Sequence, residues 1–319
     1  MDILGIDIAK RTFDVALLRN TKLRNKKFNN NSAGFTQLDQ WLVKQAVVDL
    51  HACLEATGNY GEALASHLHQ AGHVVSIVNP ACIKAFGQSE LQRNKTDRVD
   101  AGVIARFCEK QKPQPWAPAP LEIRELQALV RHLDSLTETR TQLMNRLNST
   151  QVESVINSLR TVIEAVNAEI AATKRKIRDH INGHPDLKEC RDLLTSIPGI
   201  AATTAAKLLA EIEHLREYKH PRQAVAYAGL SPRHNDSGEV RRPSRLSKIG
   251  NSRVRKALYM PAVVALKYNP IIKQLSERLS QRGKCKMVVL GAVMRKLLHL
   301  AFGVLKTRKP FDENHATAS

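Results

Sequence analysis

Aromatic residues are scarce in this chain of 319 residues: two Trp, five Tyr and seven Phe make up 4% of it. Base stacking on aromatic platforms is therefore a minor mode of recognition at most. Cysteine is scarce too. Cys53, Cys82, Cys108, Cys190 and Cys285 are odd in number and widely spaced, without a CxxC pair. That argues against a disulfide framework or a zinc site and predicts buried, inert thiols in a reducing cytoplasm. No secretory pattern opens the chain, because Asp2 and Asp7 interrupt the first apolar stretch. The most apolar late stretch, 288–305, carries Arg295, Lys296 and His299. It predicts an amphipathic helix and not a membrane span, so no membrane partner is expected.

Acidic residues are also outnumbered, 30 against 49 Lys and Arg, for a net charge of +19. The imbalance is local. Residues 231–310 hold 19 Lys or Arg and only Asp236, Glu239 and Glu277, a net +16. A field so one-sided calls for a polyanion, and nucleic acid leads. An anionic membrane surface is the alternative, but no basic run flanks an apolar anchor.

What is present reads as α/β followed by α. Short apolar runs at 3–8, 12–18 and 23–28 predict an antiparallel meander. A helix is expected over 32–45 with Ser32 as N-cap, then a strand at 50–55. A helix over 60–71 ends at Gly72, and a strand over 73–78 is closed by Asn79-Pro80. Thr96 then caps a helix over 97–110. This order is that of an RNase H-like (RuvC-like) domain, here residues 1–112. Four prolines within 113–120 predict a linker. Residues 121–183 carry a stripe of Leu126, Leu129, Leu133, Leu136, then Arg140, Leu143 and Leu147, followed by Val152, Ile156, Leu159, Ile163, Val166, Ile170 and Ile177. The phase breaks at 148–150, and Thr150 with Glu153 forms a capping-box pattern. Two long helices in a hairpin or coiled coil are expected; one helix with a stutter is the alternative. The stripe either buries itself or pairs with a second chain. Residues 184–311 predict a mostly helical basic domain, with 312–319 a flexible tail. Within it, LLTSIPGIAATTAAKLLAEI resembles a helix-hairpin-helix, whose turn offers N–H groups to phosphate; Ala201 replaces the motif's second turn glycine, and a purely structural helical hairpin is the alternative.

Four acids carry the first candidate site: Asp7 in LGIDIAK, Glu55 in CLEATGNY, and Asp97 and Asp100 in NKTDRVDA. Asp7 and Glu55 end neighbouring strands of that fold. Asp97 and Asp100 share a helix face. Hard oxygen ligands in a small volume suit Mg²⁺ or Mn²⁺, and two such ions about 4 Å apart suit phosphodiester chemistry. An Asp at a strand end is on its own more often a turn residue, and DxxD is usually solvated. The second candidate is HNDSGEVRRPSRLSKIG, with Ser237, Ser244 and Ser247 among Arg241, Arg242, Arg245 and Lys248. A serine beside arginines can attack phosphorus or merely donate to phosphate, and the residues leave all three serines open. Arg253, Arg255, Lys256, Lys284 and Lys286 extend the basic surface for backbone contacts to DNA or RNA.

The order GIDIAK, EATGNY, NKTDRVDA resembles the DEDD transposases of bacterial insertion sequences, the insertion sequence 110 family. That family includes bridge-RNA-guided recombinases and is related to the Piv-type DNA invertases. The resemblance continues through residues 76–81, KAF at 84–86, SIPGI, AYAGLSPR and 237–250. It implies that Asp7, Glu55, Asp97 and Asp100 are metal ligands. It also selects Ser237, followed by Gly238, as a nucleophile forming a covalent phosphoserine, with Arg242, Arg245, Lys248 and Arg253 on phosphates. It further implies donor and target double-stranded DNA, a non-coding bridge RNA, and a homo-oligomer: a dimer, and a tetramer on nucleic acid. The setting would be the bacterial cytoplasm, at the nucleoid when active. Asp236 and Glu239 flank the Ser-Gly pair as departures. The competing readings are a metal-dependent nuclease or Holliday junction resolvase using water, a non-enzymatic nucleic-acid scaffold, and an actin-like sugar kinase. The kinase reading lacks a second glycine-rich phosphate loop.

Overall fold

A computed structural model describes the chain apart from residues 57–59, 91–96, 213–214, 216–217, 234–244 and 314–319, and the side chains of residues 97 and 98. The predicted cap Thr96 thus lies outside the described residues. Two compact units are present, Met1–Pro118 and Ala119–Ser319.

The first unit is mixed α/β. Its strands are β1 (Asp2–Ile8), β2 (Thr12–Arg19), β3 (Lys22–Asn29), β4 (Leu50–Glu55) and β5 (Val74–Val78), in sheet order β3-β2-β1-β4-β5. The first three form the expected antiparallel meander, while β4 joins β1, and β5 joins β4, in parallel. Parallel neighbours need a crossover, supplied by α1 (Ser32–Lys44) and α2 (Glu62–Gln70). Alternation splits the sheet between two cores. Leu4, Ile6, Val15, Leu17, Ala52 and Leu54 face one, with Phe35, Leu38, Trp41, Leu64 and Leu68 of the crossover helices. Ile3, Ala16, Leu18 and Cys53 face the other, with Ala101, Ile104, Ala105 and Cys108 of α4 (Asp97–Gln111).

Two local expectations are corrected. The cap of α1 is Asn31, whose side chain accepts from the Gly34 N–H at 2.9 Å, and not Ser32. Asn79-Pro80 starts a helix as well as ending a strand. The Asn79 side chain accepts from the Ala81 N–H, and Pro80 occupies the first turn of α3 (Pro80–Ser89). That helix is clasped to α4 through Glu90, which accepts from Arg106 at 2.7 Å and Lys110 at 2.9 Å. Part of the proline stretch is laid along β5. The Trp116 N–H donates to the Val75 carbonyl at 2.7 Å, and the Ser76 hydroxyl lies within reach of the Pro113 and Gln114 carbonyls.

Among its described residues, the second unit's regular elements are helices and one two-stranded ladder. It opens with a hairpin of α5 (Leu121–Ser149) and α6 (Glu153–Gly183). The His180 ring meets the Glu122 carbonyl at 2.8 Å, so the helices run antiparallel. The predicted capping box is not formed; Val152 precedes α6 without a side-chain cap. The stripe is deeply covered at Leu126, Leu133, Ile163, Ile170 and Ile177 and only half-buried at Leu143, Leu147, Ile156 and Leu159. Then follow α7 (Pro185–Thr195), α8 (Ala202–Glu211), α9 (Pro221–Tyr227), β6 (Pro232–Arg233), β7 (Arg245–Leu246), α10 (Ser252–Tyr268), α11 (Pro270–Gln281) and α12 (Lys286–Thr307). Between α7 and α8, Gly199 holds φ +105°, and a Cβ there would lie 2.8 Å from Ala265 Cβ, so α10 crosses tightly over the turn. By length and composition α12 could cross a membrane, but 67% of its most apolar window is buried in the unit, with Val293, Leu297, Leu298 and Ala301 wholly covered.

Candidate active site

The first unit's acids are positioned by one close approach. A Cβ on Gly5 would lie 2.1 Å from the Ala101 carbonyl oxygen and 2.3 Å from the Ala105 nitrogen. The backbone of α4 therefore rests directly on β1, which only glycine permits. The direction of α4 follows from its other end. The Cys108 thiol is hydrogen-bonded to Cys53 and to His51, the second residue of β4. Sharing that bond with Cys108, and then burial, push the Cys53 thiol far up, so it stays neutral. With its C-terminal half over the start of β4, α4 runs antiparallel to β1 and β4. Its N-terminus, bearing Asp97 and Asp100, lies toward the C-terminal ends of both strands.

Asp7 and Glu55 occupy those ends. Ile6 is opposite Leu54 in the parallel register, so Asp7 and Glu55 are neighbours one step further on. Alternation from Ile3 and Gly5 puts Asp7 on the face covered by α4, and alternation from Cys53 puts Glu55 there too. Both are half-buried, as is Asp100. The side chain of Asp97 lies outside the described residues. Among the described residues, no three His, Cys, Asp or Glu side chains stand close enough to hold a metal ion. The described donors are nonetheless all carboxylates on one face and at one end of the sheet, a hard-oxygen set that fits Mg²⁺ or Mn²⁺ in type.

In the second unit, Ser237, Ser244, Arg241 and Arg242 lie outside the described residues. The flanks of their segment are described. Pro232 and Arg233 pair with Leu246 and Arg245, so the segment leaves and re-enters at adjacent points. Ser247 is tied to this base, its N–H donating to the Ser231 carbonyl at 2.8 Å and its hydroxyl accepting from Ile249. Arg245, Lys248, Arg253, Lys284 and Lys286 are exposed. Arg255 is half-buried and donates to the Ala228 carbonyl at 2.8 Å and the Gly250 carbonyl at 3.1 Å. Lys256 is ion-paired with Glu138.

Sequence reasoning missed Glu211, the buried acid beneath this basic surface. Its side chain, 5% exposed, accepts from Arg131 at 3.0 Å and from the Asn251 amide at 3.1 Å, and Arg253 approaches to 4.0 Å. Its carbonyl accepts from the Tyr227 hydroxyl at 3.0 Å. Asn251 also caps α10 through the Arg253 and Val254 N–H groups. One residue thus ties α5, α8, α9 and the start of α10 together, through its carboxylate and its backbone carbonyl. The available signal was an acid closing an apolar run, LLAEI, within a basic domain.

A family model of DEDD type, described as a transposase, matches residues 4–155, and one described as the transposase IS116/IS110/IS902 family matches 191–277. The pilin gene-inverting proteins of Moraxella bovis and Moraxella lacunata are each 35% identical to this chain, over 97% of both chains. The transposase for insertion sequence element IS1328 of Yersinia enterocolitica is 26% identical over 95% of this chain and 96% of its own length. The chain belongs to the IS110 family of transposases and is a DNA transposase or recombinase.

Proposed function

We propose that this chain is a site-specific DNA recombinase that cuts and rejoins DNA through serine attack assisted by a divalent metal. What supports this reading is that Asp7 and Glu55 stand side by side at the C-terminal ends of β1 and β4, on the face that α4 covers, with the start of α4 directed toward those ends. Asp7, Glu55, Asp97 and Asp100 would hold Mg²⁺ or Mn²⁺. When bound, the ion supplies Lewis-acid stabilisation of charge developing on the phosphodiester.

The chain's own residues do the rest. The Ser237 Oγ–P bond forms as the P–O3′ bond breaks. The proton lost by the serine is balanced by the one the freed 3′-oxygen takes up. Attack by an incoming 3′-hydroxyl reverses the step, rejoins the strands and restores the serine. Arg241, Arg242, Arg245, Lys248 and Arg253 hold phosphates around the reacting group, and Lys284 and Lys286 extend that contact. Arg255 and Lys256 are engaged with Ala228, Gly250 and Glu138, so we assign them to the scaffold under the serine segment.

A non-coding guide RNA and a homo-oligomer, a dimer that becomes a tetramer on nucleic acid, complete the reading; pairing to RNA would supply the sequence choice. Of insertion and inversion we favour inversion, because the relatives named for inverting a pilin gene align more closely than the insertion-element transposase. The test incubates the full chain, Mg²⁺ and RNA transcribed from the DNA that flanks its gene with a supercoiled plasmid carrying that DNA. Recombinant product and a covalent protein–DNA species are expected. Ser237→Ala should abolish both while binding DNA as before. Normal recombination by that variant would show that Ser237 is not the nucleophile.

A further inference from the structure

A concave groove lies within the second unit. It encloses about 670 Å³ between α6 and the α7–α8 turn. Its floor is aliphatic, with Val130, Leu133 and Ile177 drawn from the buried core. Its rim is cationic, with Lys174, Arg175 and Arg178 from α6, Arg191 from α7 and Lys207 from α8. Three of these cations have acidic neighbours: Arg178 has Asp179, Arg191 has Asp192, and Lys207 has Asp134. Lys174 and Arg175 are exposed and make no ion pair among the described residues, so the rim keeps a positive excess. The first turn of α8 also opens into the groove through Ala202 and Thr203, and Ala201 at its N-cap has no side chain to satisfy the N–H groups there.

The shape selects the occupant. Duplex DNA is convex and keeps its bases stacked inside, so it would meet the rim and leave the aliphatic floor uncovered. An unpaired strand can follow the cations with its phosphates and turn a base onto the floor or against an arginine plane. We infer that this groove binds an unpaired DNA strand, its phosphates on Lys174, Arg175 and the α8 N-terminus and a base over Val130, Leu133 and Ile177. Strand exchange exposes such strands, so the inference uses the family's DNA chemistry but neither the carboxylate nor the serine assignment.

The test uses the full chain and a single-stranded 12-mer bearing 4-thiothymidine, cross-linked by light and mapped by peptide mass. Cross-links are expected in peptides spanning residues 170–181 and 195–207. Lys174→Glu with Arg175→Glu should remove them and lower the dependence of log affinity on log salt by about 1.4, at about 0.7 per phosphate contact. Ala202→Trp, which blocks the groove without changing charge, should also remove them. All three side chains are exposed, so melting temperatures should not move. The inference is overturned by cross-links that map elsewhere or survive both variants. It is equally overturned if a 12-base-pair duplex, the same sequence as RNA, or polyglutamate competes tenfold better than the unlabelled single strand. Recombination that persists in these variants leaves the catalytic reading intact, whereas loss of recombination in Ser237→Ala leaves the groove intact.

Discussion

Replacing Gly5 with alanine tests the contact on which the carboxylate geometry depends. The added methyl would meet the Ala101 carbonyl at 2.1 Å and the Ala105 amide at 2.3 Å, whereas ordinary contact begins at 3.4 Å. Both partners are backbone, so no rotamer change relieves the clash, and α4 must move by about 1.3 Å from the sheet. Overpacking costs up to about 3 kcal/mol, and the upper end applies because a strand and a helix backbone are forced apart. For a unit of this size that lowers the melting temperature by roughly 10 °C. The same displacement carries Asp97 and Asp100 away from Asp7 and Glu55, and a shift of about 1 Å in a reacting constellation costs about 100-fold in rate. Differential scanning fluorimetry and Mg²⁺-dependent plasmid recombination read the two effects. Gly303→Ala is the control: a Cβ there meets nothing within 4 Å, and helix propensity predicts unchanged or slightly higher stability. A Gly5→Ala protein that melts and recombines like the parent would refute the seating of α4 on β1.

Removing the carboxylate of Glu211, as in Glu211→Ala, should destabilise the second unit by about 3 kcal/mol in a denaturant titration, because it leaves Arg131 and the Asn251 amide without their buried acceptor. Glu90 gives a pH signature. Burial raises its pKa, but the hydrogen bonds from Lys110 and Arg106 outweigh this and hold it below the ordinary carboxylate value of 4.5. Its contribution is therefore full above pH 4.5 and is lost as pH falls through the lowered folded value. Glu90→Gln should cost about 1 kcal/mol at neutral pH, reduced by partial exposure, with the difference from the parent shrinking in acid. A difference that grows below pH 4.5 would contradict the assignment.

Much of the first unit was legible because alternation and turn residues mark its strands directly. GIDIAK reads as a strand ending in an acid, and Asp7 is the penultimate residue of β1. That Asp7 and Glu55 end neighbouring strands was legible for the same reason. Asn79-Pro80 was read only as a stop because a turn and a capped helix start use the same two residues; the outcome depends on whether later residues can bury a face, as Ile83 does. The break at 148–150 was visible, but its cap was not, because Thr150 sits two residues ahead of the observed N-cap. The groove was hidden for a different reason. Its cations come from residues 174–178, 191 and 207 on three helices, and only packing brings them to one rim. Glu211 was hidden because its partners Arg131 and Asn251 lie 80 and 40 residues away in sequence.

The most direct test of the central claim is Mn²⁺ binding to the full chain, followed by electron paramagnetic resonance. The parent should bind Mn²⁺, with Mg²⁺ competing for the same site. Asp7→Asn, Glu55→Gln, Asp97→Asn and Asp100→Asn should each lose that binding while keeping the parent's melting temperature. Undiminished Mn²⁺ binding in all four variants would contradict the assignment of these carboxylates to a metal site.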